Sequence, residues 1–195
     1  MAGVKVFGMG RDVISVIEPQ DVMTGQTNTQ KGLTLSTVLM WIKQTMMNGN
    51  MVSDEILRSN AQLIKLRQAA FQFSQTIKYP TASIFESSIP EELFEQFRLT
   101  VLRQAEGDLL DFSEAGDAMR AVPGYYLFHI KNADSSNSHS LGLKFTNQGD
   151  YYLFDPNSGL FQFQNAAELV SGMDDMEHYK TFIGGQYWYQ QLTLG

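Results

Sequence analysis

Two residues in the C-terminal half of the sequence have types and positions that suit acid–base chemistry. His139 opens one short alternating stretch of apolar residues, and Asp155 closes the next. A carboxylate beside an imidazole orients the ring and stabilises its cation, an arrangement that serves nucleophilic hydrolysis. His139 and Asp155 are therefore candidates for a catalytic pair. A polar residue at a strand start and an ordinary Asp-Pro-Asn turn would account for the same two residues.

Short strands must position this pair. Alternating or aromatic runs separated by turn residues predict four consecutive strands, Tyr125–Ile130, Ser138–Thr146, Tyr151–Phe154 and Leu160–Phe163. The turn sequences Asn147–Asp150 and Pro156–Gly159 join the last three. The pattern indicates a meander, followed by a short helix that Asn165 caps and a final strand over Phe182–Leu194.

The first half of the sequence is mainly helical in its patterning. After a candidate strand at Val4–Phe7, apolar spacing predicts helices over Leu33–Gly49, Ser53–Tyr79, Ser88–Gly107 and Ser113–Val122. The third has the spacing of a capping box at Ser88–Glu91. Helices followed by strands predict an α+β fold with an antiparallel sheet. We expect a single domain over residues 1–195, with a helical lobe at about 20–122 and a sheet lobe at about 123–195.

The composition excludes several classes of function. The 195 residues include 14 Lys and Arg against 21 Asp and Glu, a formal charge of −7, which argues against nucleic-acid binding. No cysteine is present, so a disulfide framework, a cysteine-containing zinc site and a thiol nucleophile are excluded. We expect no metal or other cofactor, no transmembrane segment and no secretory signal peptide. His129 lies in an apolar run and is expected to be a core histidine.

Two stretches around the candidate pair resemble a known family. Ser138–Leu143 and Tyr151–Gly159 resemble the His and Asp boxes of the YopT/AvrPphB-type papain-like cysteine proteases, which are bacterial effectors injected into host cells. The resemblance implies a papain-like fold with the site in a cleft between a helical lobe and an antiparallel sheet. It also implies that His139 would shuttle the proton and Asp155 would orient His139. We then expect Nδ1 of His139 to lie within hydrogen-bond reach of Asp155, and His139 to face Thr34.

The resemblance extends to a third stretch. Gly32–Trp41 is similar to the nucleophile box of that family, with Thr34 in the position of the cysteine. A nucleophile at a helix N-terminus feels the partial positive charge there, which lowers the pKa of a thiol. Asn28 or Gln30 would supply the oxyanion donor in such a site.

Thr34 departs from the family pattern at the position of the nucleophile. A threonine hydroxyl has a much higher pKa than a thiol, and threonine nucleophiles use an N-terminal amine that an internal residue lacks. Three explanations remain open: a natural pseudoenzyme, a protease whose cysteine has been replaced, or a resemblance of fold alone with Thr34 as a helix cap. Ser36 is a second hydroxyl nearby, better explained as a helix residue.

The expected function follows from these residues. We expect a papain-like bacterial effector with little or no thiol-protease turnover that acts by binding a host protein. It would be made in the bacterial cytoplasm and exported without a classical signal peptide. A non-enzymatic interaction protein unrelated in mechanism is the alternative.

Overall fold

The computed structural model describes residues 4–7, 30–49, 54–78, 91–134 and 137–195. Its helices are α1 (Gln30–Asn48), α2 (Asp54–Ser59), α3 (Ala61–Lys78), α4 (Glu91–Phe97), α5 (Phe112–Arg120), α6 (Ala166–Asp175) and α7 (Glu177–Lys180). Its strands are β1 (Val4–Phe7), β2 (Leu99–Gly107), β3 (Gly124–Lys131), β4 (Ser138–Phe145), β5 (Tyr151–Asp155), β6 (Gly159–Phe163) and β7 (Gln186–Leu194). None of the described helices combines the length and the apolar character that crossing a bilayer requires.

The strands form one antiparallel sheet of seven in the described residues. Their order is β1-β6-β5-β4-β3-β7-β2, so β3 to β6 are the predicted meander. The C-terminal strand β7 lies between β3 and β2, pairing Phe128 with Tyr189 and Ala105 with Tyr189. The predicted α+β class with an antiparallel sheet is confirmed, whereas the single-domain boundaries stay a prediction.

The sheet separates two cores because side chains alternate between its faces. On one face, Leu127, Phe154 and Leu192 pack with residues of α1 to α4. On the other face, Phe128, Leu141 and Leu153 pack with residues of α5, α6 and α7. Each face therefore carries its own group of helices.

Helix α1 approaches the sheet closely at Gly142 of β4. A Cβ added to Gly142 would lie 2.6 Å from Cε3 of Trp41 and 3.3 Å from Cγ1 of Val38. Trp41 also stacks on Phe154 of β5, with ring centroids 5.1 Å apart and 15° between the planes. The missing side chain at Gly142 thus lets α1 lie directly against β4, the strand that carries His139.

The helix predicted over Ser53–Tyr79 is interrupted in the structure. It ends at Ser59 and resumes at Ala61, with Asn60 between α2 and α3. The Asn60 side chain donates from Nδ2 to the Ile56 carbonyl at 2.8 Å, and the Ser59 hydroxyl donates to the same oxygen. The Asn60 N–H also donates to the Ile56 carbonyl and the Ile64 N–H to the Asn60 carbonyl, so the interruption is confined to Asn60. Leu66 is one of the apolar residues whose spacing predicts this helix, yet its side chain does not join the core and is 66% exposed.

The helix predicted over Ser88–Gly107 is wrong for most of its length. Residues 88–90, where the capping box begins, lie outside the described residues, and α4 ends at Phe97. Arg98 then adopts a left-handed backbone with φ of 54°, and Leu99 begins strand β2. Pairing with β7 across the whole strand outweighs the helical spacing of Val101 and Leu102. The predicted helical lobe therefore contains a strand of the sheet.

Two other boundaries differ from the prediction. Helix α1 begins at Gln30, so Thr34 is its fifth residue and does not open it. Buried residues further along the helix, including Val38 and Trp41, stabilise it enough to include Gly32. At the other end of the chain, Phe182 precedes the last strand, which starts at Gln186.

Candidate active site

The structure brings the predicted His–Asp pair together. Nε2 of His139 lies 2.9 Å from Oδ1 of Asp155. The side chains are 7% and 0% exposed, respectively. His139 is the second residue of β4 and Asp155 is the last residue of β5. Because the two strands are antiparallel, both residues lie at the same end of the sheet. A bond of this length between buried groups fixes the imidazole orientation.

Two further donors hold the Asp155 carboxylate. The backbone N–H of Asn157 donates to Oδ1 at 2.8 Å, and the Tyr179 hydroxyl donates to Oδ2 at 2.7 Å. The Asn157 bond closes the Asp-Pro-Asn turn, and the Ser158 N–H donates to the Asp155 carbonyl as well. The turn and the catalytic-type pair are therefore not alternatives, because one turn positions the carboxylate for His139.

The hydrogen-bonding nitrogen of His139 is Nε2, and the expectation for Nδ1 is wrong. The ring rotamer decides which nitrogen meets the acid, and the spacing of residues in the sequence does not specify it. With Tyr179 and Asn157 both donating to it, Asp155 acts as an acceptor toward His139.

The pair lies toward the face of the sheet that α5, α6 and α7 cover. His139 and Gly142 are three residues apart on β4 and so have opposite orientations, with Gly142 against α1. Tyr179 of α7 belongs to the other core, and its ring centroid is 6.1 Å from that of His139. His139 therefore lies on the face of the sheet opposite α1, near the start of β4.

Tyr179 is a site residue that sequence reasoning missed. It lies on the four-residue helix α7 and is fully buried. Burial raises its pKa well above the usual value, and the neighbouring Asp155 raises it further, so Tyr179 stays a hydroxyl donor. Nothing in the local sequence Glu177–Lys180 indicates this bond, which depends on where α7 packs.

A second buried histidine lies beside the pair. His129 on β3 has its Nδ1 2.8 Å from the Ser140 hydroxyl, and its ring is 5.6 Å from that of Trp188. Burial, then the charges of His139 and Lys131, lowers the pKa of His129 to about 3. His129 is thus a neutral, hydrogen-bonded core residue, as predicted.

The predicted nucleophile region is placed only in part. Asn28 lies outside the described residues, and Gln30 is the first residue of α1. Thr34 lies one helical turn before Val38, which contacts the position of Gly142. Ser36 is buried, as expected for a helix residue. The roles given to Thr34, Asn28 and Gln30, and the contact between His139 and Thr34, stay predictions.

Solved structures share this architecture. Avirulence protein AvrPphB from Pseudomonas superposes with a TM-score of 0.62 at 16% sequence identity, covering 89% of this chain and 97% of its own. The ubiquitin-specific protease of a murine cytomegalovirus tegument protein gives a TM-score of 0.54 at 15% identity, over 83% of this chain and 76% of its own.

The fold is that of the papain-like cysteine proteases. At these identities the likeness concerns the fold alone. Neither the protein-family models nor the curated protein sequences give a match. The sequence resemblance noted above thus led to the correct fold.

Proposed function

We propose that this protein is a catalytically degenerate member of the papain-like protease fold that acts as a bacterial effector by binding a host protein. The observation that carries the proposal is a buried His139–Asp155 pair in a chain of 195 residues with no cysteine. In an active relative, a His–Asp pair of this kind would help to deprotonate the thiol. Thr34 is the residue that the sequence resemblance puts in the thiol position.

Chemistry at Thr34 is disfavoured by the properties of its hydroxyl. A neutral imidazole is too weak a base to generate an alkoxide unless a surrounding site compensates, and a thiol needs much less help. A protein of this fold that lacks a usable nucleophile can still bind a protein segment. We therefore propose that binding has replaced turnover.

The proposed setting rests on the structural neighbours. AvrPphB is described as an avirulence protein of Pseudomonas, and the viral neighbour was solved with a ubiquitin-based suicide substrate. A protein target and delivery from a bacterium into a host cell are consistent with those descriptions. For this chain both are proposals.

Restoring the thiol tests the degenerate site. We expect Thr34→Cys to react with an epoxysuccinyl inhibitor of cysteine proteases much faster than Ser59→Cys, an exposed control cysteine on α2. His139→Ala in the Thr34→Cys background should remove this difference. Labelling is measured by intact mass spectrometry, which requires no knowledge of the substrate. Equal labelling of both cysteines would show that Thr34 does not occupy a nucleophile position.

The unmodified protein tests the loss of turnover. We expect no cleavage of a fluorescent casein substrate above the buffer rate by the wild type. Cleavage at ordinary enzymatic rates that disappears in Thr34→Ala would overturn the pseudoenzyme proposal.

The binding role requires a separate measurement. A host protein captured from lysate by the wild type should be lost with His139→Arg, which places bulk and charge at the site. Capture of the same protein by both forms would locate the binding surface elsewhere.

A further inference from the structure

Three basic residues lie at the corner where α1, α3 and α4 pack on one core. They are Lys43 on α1, Arg67 on α3 and Arg98 directly after α4. Each cation is close in sequence to a fully buried residue of that core. These buried residues are Ile42 beside Lys43, Ile64 three residues before Arg67, and Phe97 beside Arg98. The three cations therefore stand on elements that pack in the same core, on one face of the sheet.

Arg67 links the members of this basic corner. Its Cζ lies 4.7 Å from the centroid of the Phe97 ring. Phe97 directly precedes Arg98 in the chain. Its Nη1 is buried and has no hydrogen-bond partner among the described residues. A buried guanidinium donor without a partner is costly, and such donors are normally satisfied by an acceptor, an ion or an ordered water.

The described residues supply no ion-pair partner to the three cations of the corner. Within the described residues, none of the three cations forms an ion pair with a carboxylate, although the chain has 21 acidic residues against 14 basic ones. Burial, then Arg67 and Arg98, lowers the pKa of Lys43. Burial, then Arg98, lowers the pKa of Arg67. The three groups thus repel one another in a protein whose overall charge is negative.

The backbone at Arg98 adds a local cost. Its φ of 54° is a left-handed conformation at the end of α4, where glycine is the usual residue. An exposed arginine is held there next to two half-buried cations. Like charges crowded without acceptors are the arrangement expected of an anion site.

We propose that Lys43, Arg67 and Arg98 bind an oxyanion of the phosphate class. A phosphate or pyrophosphate group carries more than one negative charge and several acceptor oxygens, whereas one carboxylate would leave most of the positive charge unbalanced. The guanidinium fork of Arg67 suits two oxygens of one phosphate, and Lys43 adds a point charge. Free phosphates and phosphorylated lipid headgroups share this chemistry.

Thermal unfolding with pyrophosphate tests the site. At ionic strength matched with sodium chloride, we expect pyrophosphate to raise the Tm of the wild type and of Lys65→Met. Lys65 is a matched control because it is a cation on α3 two residues before Arg67. Arg67→Met should weaken binding by roughly tenfold or more, the loss expected for charge-assisted hydrogen bonds.

The anion-free proteins separate a binding role from a structural one. Without pyrophosphate, Arg67→Met should be as stable as the wild type or more so, because a buried, unpartnered cation is removed. Lys43→Met provides the same comparison if Arg67→Met does not fold. Equal pyrophosphate responses in wild type, Arg67→Met and Lys43→Met would overturn the proposal.

Vesicles distinguish the two sources of the phosphate. Cosedimentation with phosphatidylcholine vesicles containing a phosphatidylinositol phosphate, reversed by pyrophosphate and absent with phosphatidylcholine alone, would identify a lipid headgroup. A Tm response without cosedimentation would identify a soluble anion. If pyrophosphate does not change the Tm and the protein does not cosediment with the vesicles, the site is refuted. These readouts involve neither Thr34 nor His139, so their outcome is independent of the proposed function.

Discussion

At the scale of single residues, Asp155 connects the sheet to the helix that covers it. The carboxylate is completely buried and accepts from His139, Asn157 and Tyr179. Each donor comes from a different element, β4, the turn after β5 and α7. A buried carboxylate tolerates burial only when its oxygens are satisfied, so the three donors and the acid depend on one another.

Removal of the Tyr179 hydroxyl tests this dependence. Tyr179→Phe leaves Oδ2 of Asp155 without its described donor, and we expect the free energy of unfolding to fall by about 1–3 kcal/mol. Tyr187→Phe is the matched control, since that hydroxyl has no hydrogen bond among the described residues, and it should cost less than about 0.5 kcal/mol. Urea unfolding measures both. Equal effects would show that the Tyr179 bond does not support the carboxylate.

His129 makes stability depend on pH. Its pKa of about 3 in the folded protein is below the ordinary value of 6.5, so the unfolded chain takes up a proton first as the pH falls. Its contribution is complete above pH 6.5 and is lost as the pH falls toward 3, by up to about 1.4 kcal/mol per pH unit.

We therefore expect His129→Asn to flatten the pH dependence of stability. Asparagine has no charge to gain and keeps a polar group near Ser140. The test is urea unfolding of both proteins at pH 7, 5.5 and 4.5, where the wild type should lose more stability than the variant. Parallel curves would show that folding does not lower the pKa of His129.

At the scale of elements, the contact between α1 and β4 sets the distance between the helical half and the sheet. Gly142 allows that contact, and the stack of Trp41 on Phe154 extends it to β5. The same helix carries Thr34 and the same strand carries His139. The relative position of the predicted nucleophile and base therefore depends on Gly142, which is adjacent in the chain to neither of them.

A side chain at position 142 should push the helix away. Gly142→Ala places a methyl group 2.6 Å from Trp41, and we expect a loss of about 1–3 kcal/mol in the free energy of unfolding, as for other overpacked cores. In Gly116→Ala on α5, the new Cβ would meet Val170 at an ordinary 3.4 Å. That control should be neutral or stabilising because alanine favours helix. Thermal unfolding of both variants decides the point.

At the scale of the whole molecule, the sheet joins segments that are far apart in the chain. Strand β2 precedes the meander and β7 follows it, after α6 and α7, yet β2 and β7 pair along almost their full length. Strand β3 has a partner on both edges and a core on both faces, whereas β2 and β1 are the edge strands. Local opening should therefore be easiest at the edges.

Hydrogen exchange measured by mass spectrometry checks this order. We expect peptides within β3 to exchange more slowly than peptides within β2 by roughly tenfold or more, because β3 opens only with the whole sheet. Exchange of β2 at the rate of β3 would show that β7 and β2 do not open separately from the rest.

The sequence alone determined the meander, the helix predicted over Leu33–Gly49 and the candidate pair. These follow from local patterns: alternation defines the strands, turn residues end them, and His139 and Asp155 occupy strand ends. The motif resemblance supplied the papain-like fold. Local patterns also misled where pairing partners were remote, as in β2, whose helical spacing yielded to hydrogen bonds with β7.

Only the tertiary structure decided which groups meet. It selected Nε2 of His139 for Asp155 and supplied Tyr179 from a helix with no sequence signal. It also placed Arg67 of α3 over the ring of Phe97 at the end of α4. The physical reason is the same in each case. A side chain's hydrogen bonds and charge environment depend on neighbours that packing brings close, and the spacing of residues along one strand or helix contains no information about them.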